Sequence, residues 1–362
     1  MENVLSIVGG LMIVATVLPL FKHGAWWIRV FDFPRQQITI ISLITLAGFI
    51  YVTRLESTWH WAFVLVLTAC ILRQCYMIFP YTPVAAKQVQ VARKPASETS
   101  CRLLFANVLM KNRNAARLRE IIHHAAPDVI LVVEPNRWWQ EQLREFETTH
   151  PYLVHYPLEN TYGMLLYSRF ELSHSEIAFL IEDDIPSIHT MMKLPNGVLV
   201  ELHCLHPRPP FPTEALQSSQ RDAELLIVGR KVKATETPTI VLGDLNDVAW
   251  SQTNYLFQDI SGLLDPRIGR GFFNTFHAKL PGLRFPLDHF FHSNHFRLIE
   301  IKRLPYFGSD HFPVFVALNY EWDAPLHQEE LQADAEQEKA ASERIAEGIE
   351  TSQRVASELT RV

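Results

Sequence analysis

Cysteine is scarce in this chain, with four in 362 residues, and none stands in a C-x-x-C pair. Cys70, Cys75, Cys101 and Cys204 therefore fit neither a disulfide framework nor a cysteine-bound zinc site. They read as single buried thiols, in keeping with a reducing compartment. A basic excess is also lacking, since 33 Lys and Arg stand against 39 Asp and Glu for a net charge of −6. The deficit is concentrated after Tyr320, where eleven acidic and four basic residues leave about seven negative charges and the rest of the chain close to neutral. A duplex-binding surface normally carries a basic excess, so charge argues against a protein built chiefly to wrap nucleic acid. No internal repeat appears, and no acidic residue interrupts the long apolar runs. Both absences speak against a transporter or channel.

Those apolar runs dominate the first eighty residues. Val4 to Leu20, Ile38 to Thr53 and Trp59 to Phe79 approach the ~20 residues needed to cross a bilayer, and charged, Trp-rich joints separate them. They are expected to form three transmembrane helices, the second being the shortest. A cleaved signal peptide is the alternative for the first run, but Met1-Glu2-Asn3 lacks the basic start such a peptide needs. Lys22, Arg29 and Arg35 lie in the first joint; Arg73 lies within the third run toward its inner end, and Lys87, Arg93 and Lys94 follow that run. The second joint offers only Arg54, offset by Glu56. The positive-inside rule then places the C-terminal part of this multi-pass protein on the cytoplasmic face of the cell membrane.

Composition divides the chain into a membrane domain over 1–80, a linker over 81–99, a soluble domain over 100–320 and an acidic tail over 321–362, solvated as a helix or disordered. In the soluble domain, strands are expected at Arg102–Ala106, Val129–Glu134, Met164–Tyr167, Ile188–Lys193, Val198–Cys204, Thr239–Leu242, Leu287–His292 and Phe312–Leu318. Helices are expected at Ala115–Ala125, Arg137–Phe146 and Glu214–Val232. Strands outnumber helices and are seldom separated by them, which disfavours a doubly wound parallel sheet. Two packed sheets flanked by helices suit the α/β pattern better.

Several polar clusters close or open these apolar strands. The string Pro238-Thr239-Ile240-Val241-Leu242-Gly243-Asp244-Leu245-Asn246-Asp247 ends a strand in a glycine turn. Its Asp244 and Asn246, two residues apart, can face one reacting group. Gly308-Ser309-Asp310-His311 leads into Phe312–Leu318, and Leu287-Asp288-His289 lies between the two. Upstream stand Phe105-Ala106-Asn107-Val108 and Leu131-Val132-Val133-Glu134. Asp247 is read as facing away or capping a helix near Trp250-Ser251-Gln252. In order and context these clusters resemble the endonuclease/exonuclease/phosphatase superfamily of metal-dependent phosphoesterases, over roughly Ser100 to Tyr320. Leu245 stands where the family often has Phe, and Val133 where it often has Gln.

The resemblance implies a four-layer α/β/β/α sandwich, here preceded by three transmembrane helices. Glu134 is expected to anchor Mg²⁺, with Mn²⁺ also suited, because hard divalent cations prefer carboxylate oxygens and retained waters. Asn107 would orient Glu134 or touch a phosphate oxygen, and Asp310 would lie by the metal. Asp244 would hold or deprotonate the attacking water, and Asn246 would donate to the phosphoryl oxygen. Asp288 would fix the tautomer of His311; whether His311 or Asp244 is the general base stays open. His206, in Leu202-His203-Cys204-Leu205-His206-Pro207-Arg208-Pro209-Pro210, would contact the phosphate, while Arg267, Arg270 and Arg284 could line one edge of the site. The expected activity is phosphodiester or phosphomonoester hydrolysis beside a lipid bilayer, on nucleic acid or a phospholipid headgroup. An inactive membrane scaffold that keeps the fold is the alternative.

Overall fold

The computed structural model describes residues 1–21, 24–210, 215 and 217–359, with side chains to 357. Lys22, counted above toward orientation, Glu214, taken as a helix start, and Val362 at the end of the tail lie outside the described residues.

The apolar runs form helices α1 (Glu2–Val17), α3 (Arg35–Val52) and α4 (Thr58–Ile78), with a short helix α2 (Trp26–Arg29) between the first two. All three long helices have the length and composition to cross a membrane. Phe49, Phe63, Leu67 and Ile71 pack between them, while Leu11, Ile44, Leu65 and Leu72 stay exposed on their outer sides. Apolar residues facing outward on all three are what a lipid environment accepts. A polar chain fastens one end of the bundle. Arg35 donates to Asp32 at 2.5 Å and to Gln74 Oε1 at 2.8 Å, and Gln74 Nε2 donates to Thr16 at 3.0 Å. Arg29 and Arg35, counted above among the basic residues of the first joint, are thus buried beside Asp32.

The remaining elements are β1 (Ser100–Asn107), α5 (Ala115–Ala125), β2 (Val129–Val133), α6 (Arg137–Leu143), β3 (Tyr152–Tyr156), β4 (Met164–Ser168), β5 (Glu171–Ala178), β6 (Ser187–Lys193), β7 (Leu199–Leu205), α7 (Ser219–Lys233), β8 (Thr239–Asp244), α8 (Gln252–Ser261), β9 (Asp288–His292), β10 (Phe296–Arg303), β11 (Val314–Tyr320) and α9 (Ala335–Leu359). The strands form two mixed sheets, ordered β10-β11-β1-β2-β4-β3 and β5-β6-β7-β8-β9. Alternating side chains of the central strands explain the layering. Leu103, Phe105, Leu131, Leu202, Ile240 and Leu242 meet between the sheets. Leu104, Ile130 and Val132 turn outward onto α5 and α6, and Val241 and Phe291 turn outward onto α7 and α8. The α/β/β/α sandwich is therefore present, with the three apolar helices before it.

Two stretches read as loosely attached are packed. In the linker, Val89 is fully buried in the inter-sheet core, and the Ala92 N–H donates to the Leu298 carbonyl of β10 at 2.9 Å. In the tail, α9 lies against α7 and α8 with Ala341 buried among Leu226, Leu256 and Ile260, so its small residues face protein and its acidic residues face solvent. The soluble domain also sits on the ends of the apolar helices. Trp250 Nε1 donates to the Asp32 carbonyl at 2.7 Å, the Tyr81 hydroxyl to the Ala249 carbonyl at 2.7 Å, and Gln252 Nε2 to the Pro19 carbonyl at 3.3 Å.

Candidate active site

The parallel pairs β1–β2 and β7–β8 run in register, which brings their C-terminal ends to one rim of the sandwich. Asn107 ends β1, Glu134 follows β2, His206 follows β7, and Asp244 ends β8. Asp288 opens β9 directly opposite Asp244 in the antiparallel pairing, and Asp310 and His311 precede β11.

The backbone at this rim is unusual. Glu134 has φ of 61° and Asn246 φ of 52°, in the left-handed region that non-glycine residues seldom enter and that clusters at functional sites. Gly243 has φ of 151°, and a Cβ there would stand 1.8 Å from the Leu205 carbonyl oxygen. The glycine before Asp244 is thus required by the close approach of β7.

Side chains converge across the two sheets. Asn107 Nδ2 donates to Glu134 Oε1 at 2.7 Å and to Asp244 Oδ2 at 3.1 Å. His311 Nδ1 lies 3.1 and 3.2 Å from the two Asp288 oxygens, and its Nε2 lies 3.5 Å from Asp244 Oδ2. Ser309 Oγ fixes the approach of this loop, donating to the Asn107 carbonyl at 2.8 Å and accepting from the His311 N–H at 3.1 Å. Phe276 covers the imidazole, with ring centroids 4.9 Å apart.

Charge is crowded and poorly hydrated here. Burial lifts the Glu134 carboxyl to about 7, with the Asp310 and Asp244 charges adding to it against the Asn107 hydrogen bond. Asp244 is raised chiefly by burial, opposed by His311. Burial alone would lower His311, but the Asp288 and Asp244 carboxylates outweigh it and raise the imidazole to about 10. His206 goes the other way, lowered to about 4 by burial. Carboxylates of Glu134, Asp244 and Asp310 share one pocket whose described lining includes, besides the imidazole, a single Arg already committed to other acids. A hard divalent cation fits such an oxygen-rich, anion-crowded donor set. Asp244, Asp288 and His311 also place one ligand atom each within 4.8 Å of one another.

Some expected residues are placed differently. Asn246 lines the pocket, but its Nδ2 donates to the Pro207 carbonyl at 2.9 Å, so its amide ties two strand-end loops together. His206 is buried with its ring 5.5 Å from Tyr162, beside the pocket whose wall Pro209 and Pro210 form. Arg267 lies behind the site, paired with Asp265 at 2.7 Å and donating to the Asp288 carbonyl at 3.2 Å. Arg270 and Arg284 donate to backbone carbonyls of Val89 and Ala278. None of these three arginines lines the pocket. Asp247 does not line the pocket: its carboxylate is buried 3.1 Å from Arg221, and the cap of α8 is Ser251, which accepts from the Asn254 N–H.

Reasoning from sequence missed one entire wall. The pocket, about 550 Å³, is bounded by Trp26, Arg29, Val30, Phe33 and Pro34, which lie between the first two apolar helices. Ser309 was legible within the Gly-Ser-Asp-His string; nothing in the sequence pointed to the wall.

Comparison with known proteins matches residues 104–311 to the model of the Endonuclease/Exonuclease/phosphatase family. No curated protein sequence matches the chain. Among solved structures, an endonuclease/exonuclease/phosphatase from Bacteroides vulgatus is similar at 18% identity and a TM-score of 0.51, covering 62% of this chain and 100% of that one. One from Beutenbergia cavernae is similar at 19% identity and 0.50, covering 61% and 72%. D. rerio TDP2 complexed with a single-strand DNA product is similar at 17% and 0.52, covering 61% and 99%. At these identities the likeness speaks for the fold.

Proposed function

The chain belongs to the endonuclease/exonuclease/phosphatase family and is a phosphoesterase, and from that premise we propose a membrane-tethered, Mg²⁺- or Mn²⁺-dependent hydrolase of phosphodiester bonds. The observation that carries this reading is the convergence of Asn107, Glu134, Asp244, Asp288, Asp310 and His311 from both sheets on one rim pocket.

Glu134 and Asp310, with Asn107 orienting Glu134, would hold the metal. When bound, it neutralises charge on the non-bridging phosphate oxygens. Asp244 positions the attacking water and accepts one of its protons. The water oxygen bonds to phosphorus, the phosphorus–oxygen bond to the leaving alcohol breaks, and that alkoxide takes up a proton. His311 serves as the donor: Asp288 occupies its Nδ1, so its Nε2 faces Asp244 and the pocket, from where it gives its proton to the leaving oxygen and is reprotonated through Asp244. This assignment makes Asp244 the general base and Asp288 the group that holds the imidazole in orientation.

Two substrate classes enter here, nucleic acid and a lipid headgroup. The fold shared with TDP2 in its DNA complex favours the first; tethering beside a bilayer favours the second. In either case Glu134→Gln is expected to lower turnover of bis(4-nitrophenyl) phosphate by at least ~10²-fold and to weaken its dependence on Mg²⁺. Wild-type metal dependence in that variant would overturn the assignment.

A further inference from the structure

We infer that the site acts on membrane lipids, taking a lipid phosphoester whose head reaches the carboxylates and whose first hydrocarbon segments occupy the apolar wall between the membrane joint and a hairpin over 276–285, closed by the antiparallel bridge of Phe276 to Phe285. This inference rests on the phosphoesterase reading and adds the substrate class.

The pocket has two chemically distinct parts. Glu134, Asp244, Asp310 and His311 form one; Trp26, Val30, Phe33, Leu283 and Phe285 contribute to the other. Phe33 meets Phe285 edge to face at 5.8 Å, so the joint and the hairpin close on each other over the catalytic end. An enzyme for a fully hydrated polyanion would place free cationic groups along the exit from the phosphate site. Here the one arginine of the described lining, Arg29, is buried and engaged by Asp32 at 3.4 Å, Asp247 at 3.8 Å and Thr253 at 3.1 Å.

The position of this apolar part relative to the bilayer supplies the second argument. Residues 18–21 follow α1 and residues 24–34 lead into α3, and Leu20, Phe21, Trp27 and Val30 among them are exposed. Across the pocket Leu280 and Leu283 are also exposed, and their hairpin is tied to the start of α3 by Gln37 Nε2, which donates to the Gly282 carbonyl at 2.9 Å. Asn274 Nδ2 adds a bond to Gln36 Oε1 at 3.1 Å. Exposed tryptophan and aliphatic side chains at helix ends are the signature of the lipid–water boundary. In this reading a lipid passes from the bilayer into the pocket by way of these apolar side chains.

The test uses the full chain in nanodiscs with Mn²⁺ or Mg²⁺. It compares phosphatidylglycerol, phosphatidylinositol and phosphatidic acid with their deacylated counterparts, a single-stranded oligonucleotide and bis(4-nitrophenyl) phosphate. We expect kcat/KM for at least one lipid to exceed that of its deacylated counterpart and of the oligonucleotide by ~10²-fold, as when a few methylenes leave water. Leu283→Ser should shrink that lipid-to-headgroup ratio at least ~5-fold, mainly through KM. Equal turnover of lipid and headgroup, or preference for the oligonucleotide, would overturn the lipid inference and leave the phosphoesterase reading standing. Failure on every substrate, bis(4-nitrophenyl) phosphate included, would overturn both.

Discussion

Replacing Arg221 by Met probes how the catalytic loop is held. Arg221 is buried in α7; its Nη1 donates to the Asn246 carbonyl at 2.7 Å, and its Nη2 lies 2.8 Å from Asp222 and 3.1 Å from Asp247. Met fills much of the same volume but carries no charge, so Asp247 would keep Arg29, at 3.8 Å, as its one salt-bridge partner, with the Ser251 hydroxyl and its own local backbone bond. Breaking a buried pair in this way costs about 3–5 kcal/mol, because the surviving carboxylate is left uncompensated. For a domain of this size each kcal/mol moves Tm by about 2–4 °C, so a fall of roughly 10 °C is expected. Thermal unfolding of the detergent-solubilised full chain at one scan rate measures it. Asp247→Asn in the same background should restore part of the loss, with a coupling of about 2 kcal/mol.

The pH dependence gives an independent check. Burial raises the Asp247 carboxyl, and Arg221 and Arg29 pull it back down; without Arg221 it rises further. A carboxyl raised above its unfolded value stabilises below that value and loses the contribution as pH climbs through the folded pKa. The gap between Arg221→Met and wild type should therefore narrow on acidification. A Tm drop under about 3 °C, or strict additivity with Asp247→Asn, would refute the view that this pair holds the loop.

Asp244→Asn and His311→Ala should each lower kcat by at least ~10²-fold, and together by far less than the product, since groups serving one step are non-additive; multiplicative losses would assign them to separate steps. Burial, with Glu182 adding to it, lifts the Glu224 carboxyl from 4.5 to about 8, so its contribution is full below pH 4.5 and lost as pH rises through 8. Glu224→Gln should accordingly gain on the order of 3 kcal/mol over wild type at pH 9 and little near pH 4, and equal Tm values at pH 9 would refute this. Topology reporters at Glu56 and after Val362 should be active on opposite faces, with the C-terminal one cytoplasmic; a C-terminal reporter active only outside the cytoplasm would reverse the orientation.

The strands that sequence reasoning found and those it missed differ by position in the sheets. Arg102–Ala106, Val129–Glu134, Thr239–Leu242 and Phe312–Leu318 correspond to central strands, buried on both faces and therefore continuous in apolar residues. The three strands missed, β3, β5 and β10, are three of the four sheet edges. An edge has open backbone groups and is kept polar or irregular to avoid pairing with other chains. In β5, Glu-Leu-Ser-His-Ser-Glu-Ile-Ala is largely exposed; β3 is flanked by Pro151 and Pro157; and β10 carries a register shift between Leu298 and Glu300. The features that protect these edges also erase the pattern by which strands are recognised.

The site divides along the same physical line. Asn107, Glu134, Asp244, Asp288, Asp310 and His311 were legible because each belongs to or adjoins a strand buried along most of its length, where a polar residue beside an apolar run stands out. Arg29 was not, because nothing local links it to Asp247, 218 positions away, or to Thr253. Hydropathy separates the chain near residue 80 into a part with three helices apolar enough to cross a membrane and a part of mixed composition. The packing crosses that line: the joint over 24–34 walls the pocket, Trp250 and Tyr81 bind the two parts together, and Arg344 of α9 donates to Thr253 at 2.9 Å behind the same loop. Periodicity and strand-end motifs register what a segment does with its neighbours in sequence. A wall built from the first thirty-four residues and a catalytic loop built from residues 244–247 become one site only when the sandwich settles on the helix ends.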